Sequence, residues 1–209
     1  MKKNRDWLVT GNGQYQACKT AREWDLLREN YRVHRFLTEL ENLLMDTEDE
    51  SKYLPEIRTL VRRLIVNSYW VQSQYLEASP QTGTSVLVLY DELGFPFTVQ
   101  TVTFAPGTKS NIHNHGTWGV IAILKGQEKN TFWKRESNPN SEGGIEQDKI
   151  EQTGDLTLFP GDIISFTPDA IHSVEAIGNE PTVTFNIYGE TDPTQRLEFD
   201  PVNHIARRF

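Results

Sequence analysis

Two histidines one residue apart, His113 and His115 in PGTKSNIHNHGTWGVIAILKG, stand just before an apolar run with the texture of a strand. In an extended chain alternate side chains share a face, so both imidazoles can point at one ion while Asn114 points away. Imidazole suits iron, zinc, copper and nickel, and a third ligand from elsewhere in the fold would close a facial set. The chain has five histidines, His34, His113, His115, His172 and His204. His172 is the expected third ligand, because in FPGDIISFTPDAIHSVEAIG it opens a strand directly after a turn at Pro168 and Asp169. Two histidines at this spacing also arise by chance on a solvated strand end. The glycines that frame the pair and the second unit of turn and strand favour a metal.

The spacing around the pair resembles the first motif of the cupins: a glycine, five residues, HxH, three or four residues, an acid, six residues and a glycine. Gly107, His113, His115 and Gly126 fall in register with it, and Gly119 stands where the acid would be. A site of three histidines without the acid is similar to that of the thiol dioxygenases of the cysteine dioxygenase type. HNHGTWGVIAILKGQEKNTFW resembles their bacterial branch, which includes the 3-mercaptopropionate dioxygenases. The resemblance runs from about Val86 to Arg196 and implies a cupin jelly-roll barrel holding Fe(II) on His113, His115 and His172. It also implies oxidation of a small thiol by dioxygen to its sulfinate. Nickel or zinc can replace iron in a purified sample, and zinc in the same triad would supply no redox chemistry.

An ion held by three neutral imidazoles keeps its full positive charge, which favours anionic ligands such as a thiolate. In TVTFNIYGE, Thr184, Asn186 and Tyr188 alternate onto one face. The family carries serine, histidine and tyrosine there in a hydrogen-bonded series. Tyr188 matches and is the expected catalytic donor to bound oxygen or substrate. Thr184 keeps the hydroxyl, but Asn186 cannot shuttle a proton as histidine does. Cysteine-specific members grip the substrate carboxylate with an arginine early in the first strand, and TSVLVLY has none. The mercaptopropionate branch uses an arginine beyond the tyrosine. Arg196 in YGETDPTQRLEFD matches approximately, and a surface ion pair is its alternative role. Trp118 is expected to wall the substrate pocket, or else to pack in the barrel core or under the helices. Gly119 takes the place, allowing one gap, of the cysteine that animal members crosslink to the tyrosine, so no crosslink can form here.

The elements that must position these residues divide along the chain. The first third reads as helix. Thr20 and Glu23 have capping-box spacing for a helix over about 21–30. Val33, Phe36, Leu37, Leu40, Leu43 and Leu44 recur at helical spacing, and the acidic loop DTEDES follows. A third helix over about 55–70 carries Ile57, Leu60, Val61 and Leu64 on one stripe, with Pro55 in its first turn and Arg58, Arg62 and Arg63 on a solvated face. From Thr84 the texture turns to short β-branched and aromatic runs (SVLVLY, FTVQTVTF, WGVIAIL, NTFW, LTLF, IISF, TVTFNIY) separated by Gly, Pro, Asn and Asp. ESNPNSEGG reads as a polar hairpin loop. The expected fold is mainly β, a cupin double-stranded β-helix with about three N-terminal helices: one domain over 1–209, helical to residue 80 and a barrel from 81.

A net charge of −8 opposes a nucleic-acid surface, and no apolar run approaches a membrane span. No secretory leader follows MKKNRDW, so the cytoplasm is the expected compartment. The single cysteine, Cys18, excludes an internal disulfide framework. A monomer or homodimer acting on a small thiol and dioxygen is the expectation. Two other classes fit the same residues: a cupin dioxygenase or isomerase of a non-thiol substrate such as a diketone, and a non-catalytic cupin that binds metal or ligand.

Overall fold

The computed structural model describes residues 5–21, 30–136 and 149–208. Thirteen strands and three helices follow one another among the described residues. They are β1 (Asp6–Val9), β2 (Tyr15–Cys18), α1 (Val33–Asp46), α2 (Glu50–Asn67), α3 (Tyr69–Ser73), β3 (Thr84–Tyr90), β4 (Phe97–Phe104), β5 (Ile112–His113), β6 (Gly119–Lys125), β7 (Gln127–Arg135), β8 (Ile150–Leu158), β9 (Ile163–Phe166), β10 (Ile171–Ile177), β11 (Thr182–Gly189), β12 (Leu197–Asp200) and β13 (Ile205–Arg208).

The strands form two sheets. One has the order β2-β1-β9-β6-β11-β4-β3 and the other β13-β12-β5-β10-β7-β8. From β4 to β12 the chain crosses between the sheets at nearly every step, the winding of a jelly roll. Ile121, Ile123, Ile164 and Phe166 of the first sheet pack with Phe132 and Leu158 of the second, so the two inner faces share one apolar layer. The other face of the first sheet is covered by helices. Phe36, Leu40, Leu54, Ile57, Val61 and Leu64 bury themselves against Phe97, Val99, Val120, Ala122, Phe185 and Ile187. Alternation explains both layers at once, since Ile121 and Ile123 face inward while Val120 and Ala122 face the helices.

Every strand expected from Thr84 onward is present, as are the helices carrying the Val33 and Ile57 stripes. Three points differ. The first third is not wholly helical, because β1 and β2 form a hairpin closed through Gly11 to Gly13 and extend the first sheet, β1 lying parallel to β9. Short strands of mixed polarity such as DWLV and YQAC carry little periodic signal, and it is the β9 edge that selects them. Next, α2 begins at Glu50, capped by the Asp49 side chain accepting from the Ser51 backbone N–H (3.0 Å). Pro55 therefore lies inside the helix and not in its first turn, at the loss of one backbone bond near the start. Residues 22–29 of the helix expected over about 21–30, and nearly all of ESNPNSEGG, lie outside the described residues.

The third difference concerns charge. Arg58 and Arg62 are buried, not solvated. Arg58 donates to Ser165 Oγ (2.7 Å), whose hydroxyl donates to the Trp7 carbonyl (2.9 Å). Arg62 donates to the Gly161 carbonyl (2.8 Å) and pairs with Asp6 of β1. The strand hidden from the sequence pattern thus supplies the carboxylate that lets α2 bury a guanidinium. Arg63 is half-buried instead, over the ring of Tyr31 at 4.2 Å. Cys18 is a free thiol that burial pushes above its usual pKa, which disfavours the thiolate.

Candidate metal centre

The geometry of the second sheet brings the histidines together. β5 is two residues long and lies between β10 and β12, and its antiparallel register sets His113 directly opposite His172. Directly opposed residues of an antiparallel pair put their side chains on the same face a few ångströms apart. His115 follows just beyond the strand. Its ring centroid lies 5.0 Å from that of His113 and 5.1 Å from that of His172, and His113 and His172 are 4.8 Å apart. One nitrogen from each of the three lies within 4.8 Å of the others. Phe166 packs on His172 at 4.4 Å and on His115 at 5.8 Å, so the first sheet forms an apolar wall behind the triad.

Two of the rings are tied from behind. His113 Nδ1 bonds the Asn111 carbonyl (2.9 Å) and must be the donor, since a carbonyl only accepts. His172 Nδ1 lies 2.8 Å from Asn130 Oδ1. Both Nε2 atoms are thereby left with a lone pair to offer, the arrangement of protein metal sites in which the far ring nitrogen is held by an outer partner. All three imidazoles are held neutral. Burial is the largest cause, pushing His113 down and His115 and His172 well below the usual value, and the rings' mutual repulsion adds to the latter two. A convergent set of three neutral imidazoles, two of them with the Nε2 lone pair already freed, fits a divalent transition-metal ion.

Asn114 points away from the pair, as alternation requires, and clamps a distant segment. It donates to the Gln195 carbonyl (2.9 Å) and accepts from the Leu197 N–H (2.7 Å), one bond on each side of Arg196. Gly116 sits at φ +63, and a Cβ there would stand 2.9 Å from Arg196 N and from Asp192 O, so glycine alone allows this approach. The clamp brings the charge of Arg196 close enough to lower the pKa of His113, His115 and Tyr188 alike.

Tyr188 projects from β11 onto the inner face, with its ring 4.7 Å from that of His115. Burial and the charge of Glu128 raise its pKa, against a smaller opposing effect of Arg196, so the hydroxyl stays protonated and able to donate. Gly119 pairs directly with Tyr188, and a Cβ there would lie 3.1 Å from the tyrosine ring. Thr184 and Asn186 are buried on the same face, and Asn186 Nδ2 donates to Thr184 Oγ1 (3.0 Å). Of the two places expected for Trp118 the structure shows the second: it packs beneath the helices at 5.7 Å from Tyr53, on the far side of the sheet from the triad, and does not wall the pocket. Strand alternation is the reason, because Trp118 shares its side with Val120 and Ala122.

Sequence reading missed two residues, Glu128 and Asn130 of β7. Both are buried on the inner face beside Phe132, with Asn130 Nδ2 donating to Glu128 Oε1 (2.7 Å). The signal was present in GQEKNTFW, where inward positions of an alternating strand carry an acid and an amide. Burial pushes Glu128 up to about 7, opposed by the bond from Asn130. The folded chain therefore keeps a proton that the unfolded chain has released between 4.5 and about 7, and stability falls as pH rises through that window. The histidines act in the opposite sense, losing stability as pH falls below 6.5, because only the unfolded chain then takes up protons. Glu128→Gln isolates the acid. In the metal-free protein it is expected to leave stability unchanged near pH 4 and to raise it by about 3 kcal/mol near pH 8, measured by urea unfolding. A difference that does not change with pH would show that Glu128 ionises normally.

No family model matches the sequence. Among solved structures the chain is similar to oxalate oxidase in complex with the substrate analogue glycolate, at 16% identity over 60% of each chain, with a TM-score of 0.42. It is also similar to the cupin domain of Schizosaccharomyces pombe Cnp3, at 16% identity over 61% of this chain and 71% of that one, TM-score 0.42. A cupin superfamily protein from Desulfitobacterium hafniense aligns at 13% identity over 57% of this chain and 84% of that one, TM-score 0.37. The chain thus spans about 60% of the length of the oxalate oxidase it matches. No helix among the described residues is long and apolar enough to cross a membrane.

Proposed function

We propose that the protein is a cupin with a mononuclear metal centre on His113, His115 and His172, and that it is an iron-dependent dioxygenase of a small thiol bearing a carboxylate. The observation that carries this reading is the three-histidine cluster together with the segment of Arg196, which Asn114, between two of the histidines in the chain, holds by one bond on each side. When bound, Fe(II) would supply a common point at which thiolate and dioxygen meet, with sulfur oxidised to the sulfinate. The chain's own residues supply the rest. The triad adds no negative charge, which leaves the site cationic and favours a thiolate. Arg196 offers a planar pair of donors to a carboxylate at the other end of the substrate. Tyr188 keeps its proton and presents it beside His115. Phe132 and Phe166 on the inner faces keep the interior apolar and limit water.

The absence of an arginine in β3 turns the proposal away from cysteine and toward a mercapto acid. Oxygen uptake by iron-reconstituted protein with 3-mercaptopropionate, cysteine, cysteamine and acetylacetone tests this. Uptake with 3-mercaptopropionate, giving a sulfinate, is the expected result. Uptake with acetylacetone alone would replace the proposal by carbon–carbon cleavage, which Asn186 in place of the relay histidine favours. Uptake with none of them would leave a metal-binding cupin. Arg196→Met is expected to raise KM for 3-mercaptopropionate by roughly 10- to 100-fold, the loss of a charge-assisted bond or two, while kcat and the KM for cysteamine change little. Equal losses for both thiols would remove Arg196 from carboxylate recognition.

A further inference from the structure

Glu128 is a costly residue where it stands. It is 2% exposed on the inner face of β7, next in alternation to Asn130 and Phe132 and opposite Leu158 of β8. A leucine there would extend the apolar layer, whereas a carboxyl must be desolvated and held by hydrogen bonds. Its bond from Asn130 Nδ2 (2.7 Å) is one half of a chain. The other half is the bond between Asn130 Oδ1 and His172 Nδ1 (2.8 Å). Asn130 and His172 are both fully buried, so this chain is sealed from solvent.

The order of atoms in that chain has a chemical consequence. A side-chain amide is nearly symmetric in shape and can turn either its oxygen or its nitrogen to a neighbouring ring. An ionised carboxylate has only acceptors, so it draws the NH₂ of Asn130 and forces the amide oxygen toward His172. Facing that oxygen, His172 Nδ1 must carry the proton, and Nε2 must carry the lone pair. Nε2 is the atom that meets His115 Nε2 at 3.0 Å at the centre of the triad. In the metal-free chain His115 then donates to it; the same lone pair would serve as the ligand to a bound ion. With the amide reversed, Nδ1 would hold the lone pair and Nε2 a proton, and His172 could not ligate toward the triad.

We propose that Glu128, acting through Asn130, fixes which nitrogen of His172 faces the metal, and is a positioning residue for the triad. The inference rests on the metal reading above for its purpose, and on the metal-free geometry for its mechanism. It makes Glu128 the carboxylate of this site: an outer acid that reaches the ion through an amide and a ring, in a chain whose Gly119 removes the acid expected in the inner set. Tyr188 from β11 is an ionisable group that feels its charge.

The test uses the whole chain near pH 8, where Glu128 is ionised, and reads two quantities. One is the protonation of His172 Nδ1 and Nε2 in the metal-free protein, from the ¹⁵N shifts of the imidazole nitrogens. The other is affinity for Co(II), from its visible spectrum. Wild type is expected to hold His172 as the single Nδ1–H form. Glu128→Leu is expected to give a mixture of both forms and to weaken Co(II) binding by roughly 10- to 100-fold, the usual cost of an outer partner. The double variant Glu128→Gln with Asn130→Asp moves the carboxylate next to His172 and places an amide behind it. It restores the polarity of the chain without restoring the original residues, and is expected to recover the Nδ1–H form and most of the affinity. A His172 that stays Nδ1–H in Glu128→Leu, or a double variant no better than Glu128→Leu, overturns the proposal. If wild type fails to bind Co(II), the metal reading falls, and the nitrogen shifts still decide whether Glu128 sets the tautomer.

Discussion

Replacing His172 by alanine is expected to abolish binding of a divalent ion while leaving the jelly roll folded. His172 is the fully buried member of the triad, with Nε2 3.0 Å from that of His115 and its ring 4.8 Å from that of His113. Without it the remaining pair cannot complete a facial set, and the loss should exceed the roughly 10- to 100-fold that removal of an outer partner costs. The fold pays a smaller penalty, because Asn130 Oδ1 loses its donor in a buried place, at about 1–3 kcal/mol. The clean measurement is thermal unfolding with and without Co(II) or Fe(II). A ligand at a hundred times its Kd adds about 2.7 kcal/mol to the folded state, so wild type should melt higher with metal, and His172→Ala should not respond. An equal metal-dependent rise in the variant would place the ion elsewhere. His34→Ala is the control, since His34 lies on α1 outside the cluster and should leave the response intact.

The second large effect falls far from the site. Asp6→Ala is expected to destabilise the protein by about 3–5 kcal/mol, the cost of leaving a buried cation without its partner. Arg62 is fully buried and Asp6 is 3% exposed, so water cannot replace the carboxylate. The Gly161 carbonyl would remain as an acceptor for Arg62 but carries no charge. Removing both ends, as Asp6→Leu with Arg62→Met, should recover most of that loss, because a well-packed apolar pair avoids desolvating either ion. Denaturant unfolding of the two variants measures it. A loss below about 1 kcal/mol in Asp6→Ala would show that the pair is open to solvent in solution. Because β1 leans on β9, and β9 carries the Phe166 that backs His172, metal affinity of the folded fraction is a useful second readout. It should change much less than stability, since the histidine ties at Asn111 and Asn130 are untouched.

These two expectations differ in how far the sequence foretold them. The HxH spacing, the turn before His172 and the alternation of β11 were legible because strand periodicity is local: two residues apart means the same face whatever the rest of the chain does. The helix stripes at Phe36, Leu40, Ile57, Val61 and Leu64 were legible for the same reason, at a period of 3.6. The face each strand would bury was harder to read. Trp118 lay next to the histidines in sequence, yet one step of alternation sent it under Tyr53 instead of into the pocket. Arg58 and Arg62 fell on the same buried stripe as Leu54 and Val61, and charge alone had argued for solvent. What overrode it was a carboxylate supplied by a strand some fifty residues away, together with a serine on β9.

By itself, then, the sequence determined the strand-rich fold, the pair His113 and His115 on one face, and the inward set Thr184, Asn186 and Tyr188, all of them consequences of local backbone geometry. Tertiary structure decided everything that depends on which elements become neighbours. It set His172 opposite His113, clamped Arg196 beside the triad through Asn114 and Gly116, and put Glu128 and Asn130 behind His172. It also turned two helix arginines into core residues. The physical reason is that ladder register, burial and hydrogen-bond partnership are set by contacts between segments distant in the chain, and no period within a single segment encodes them.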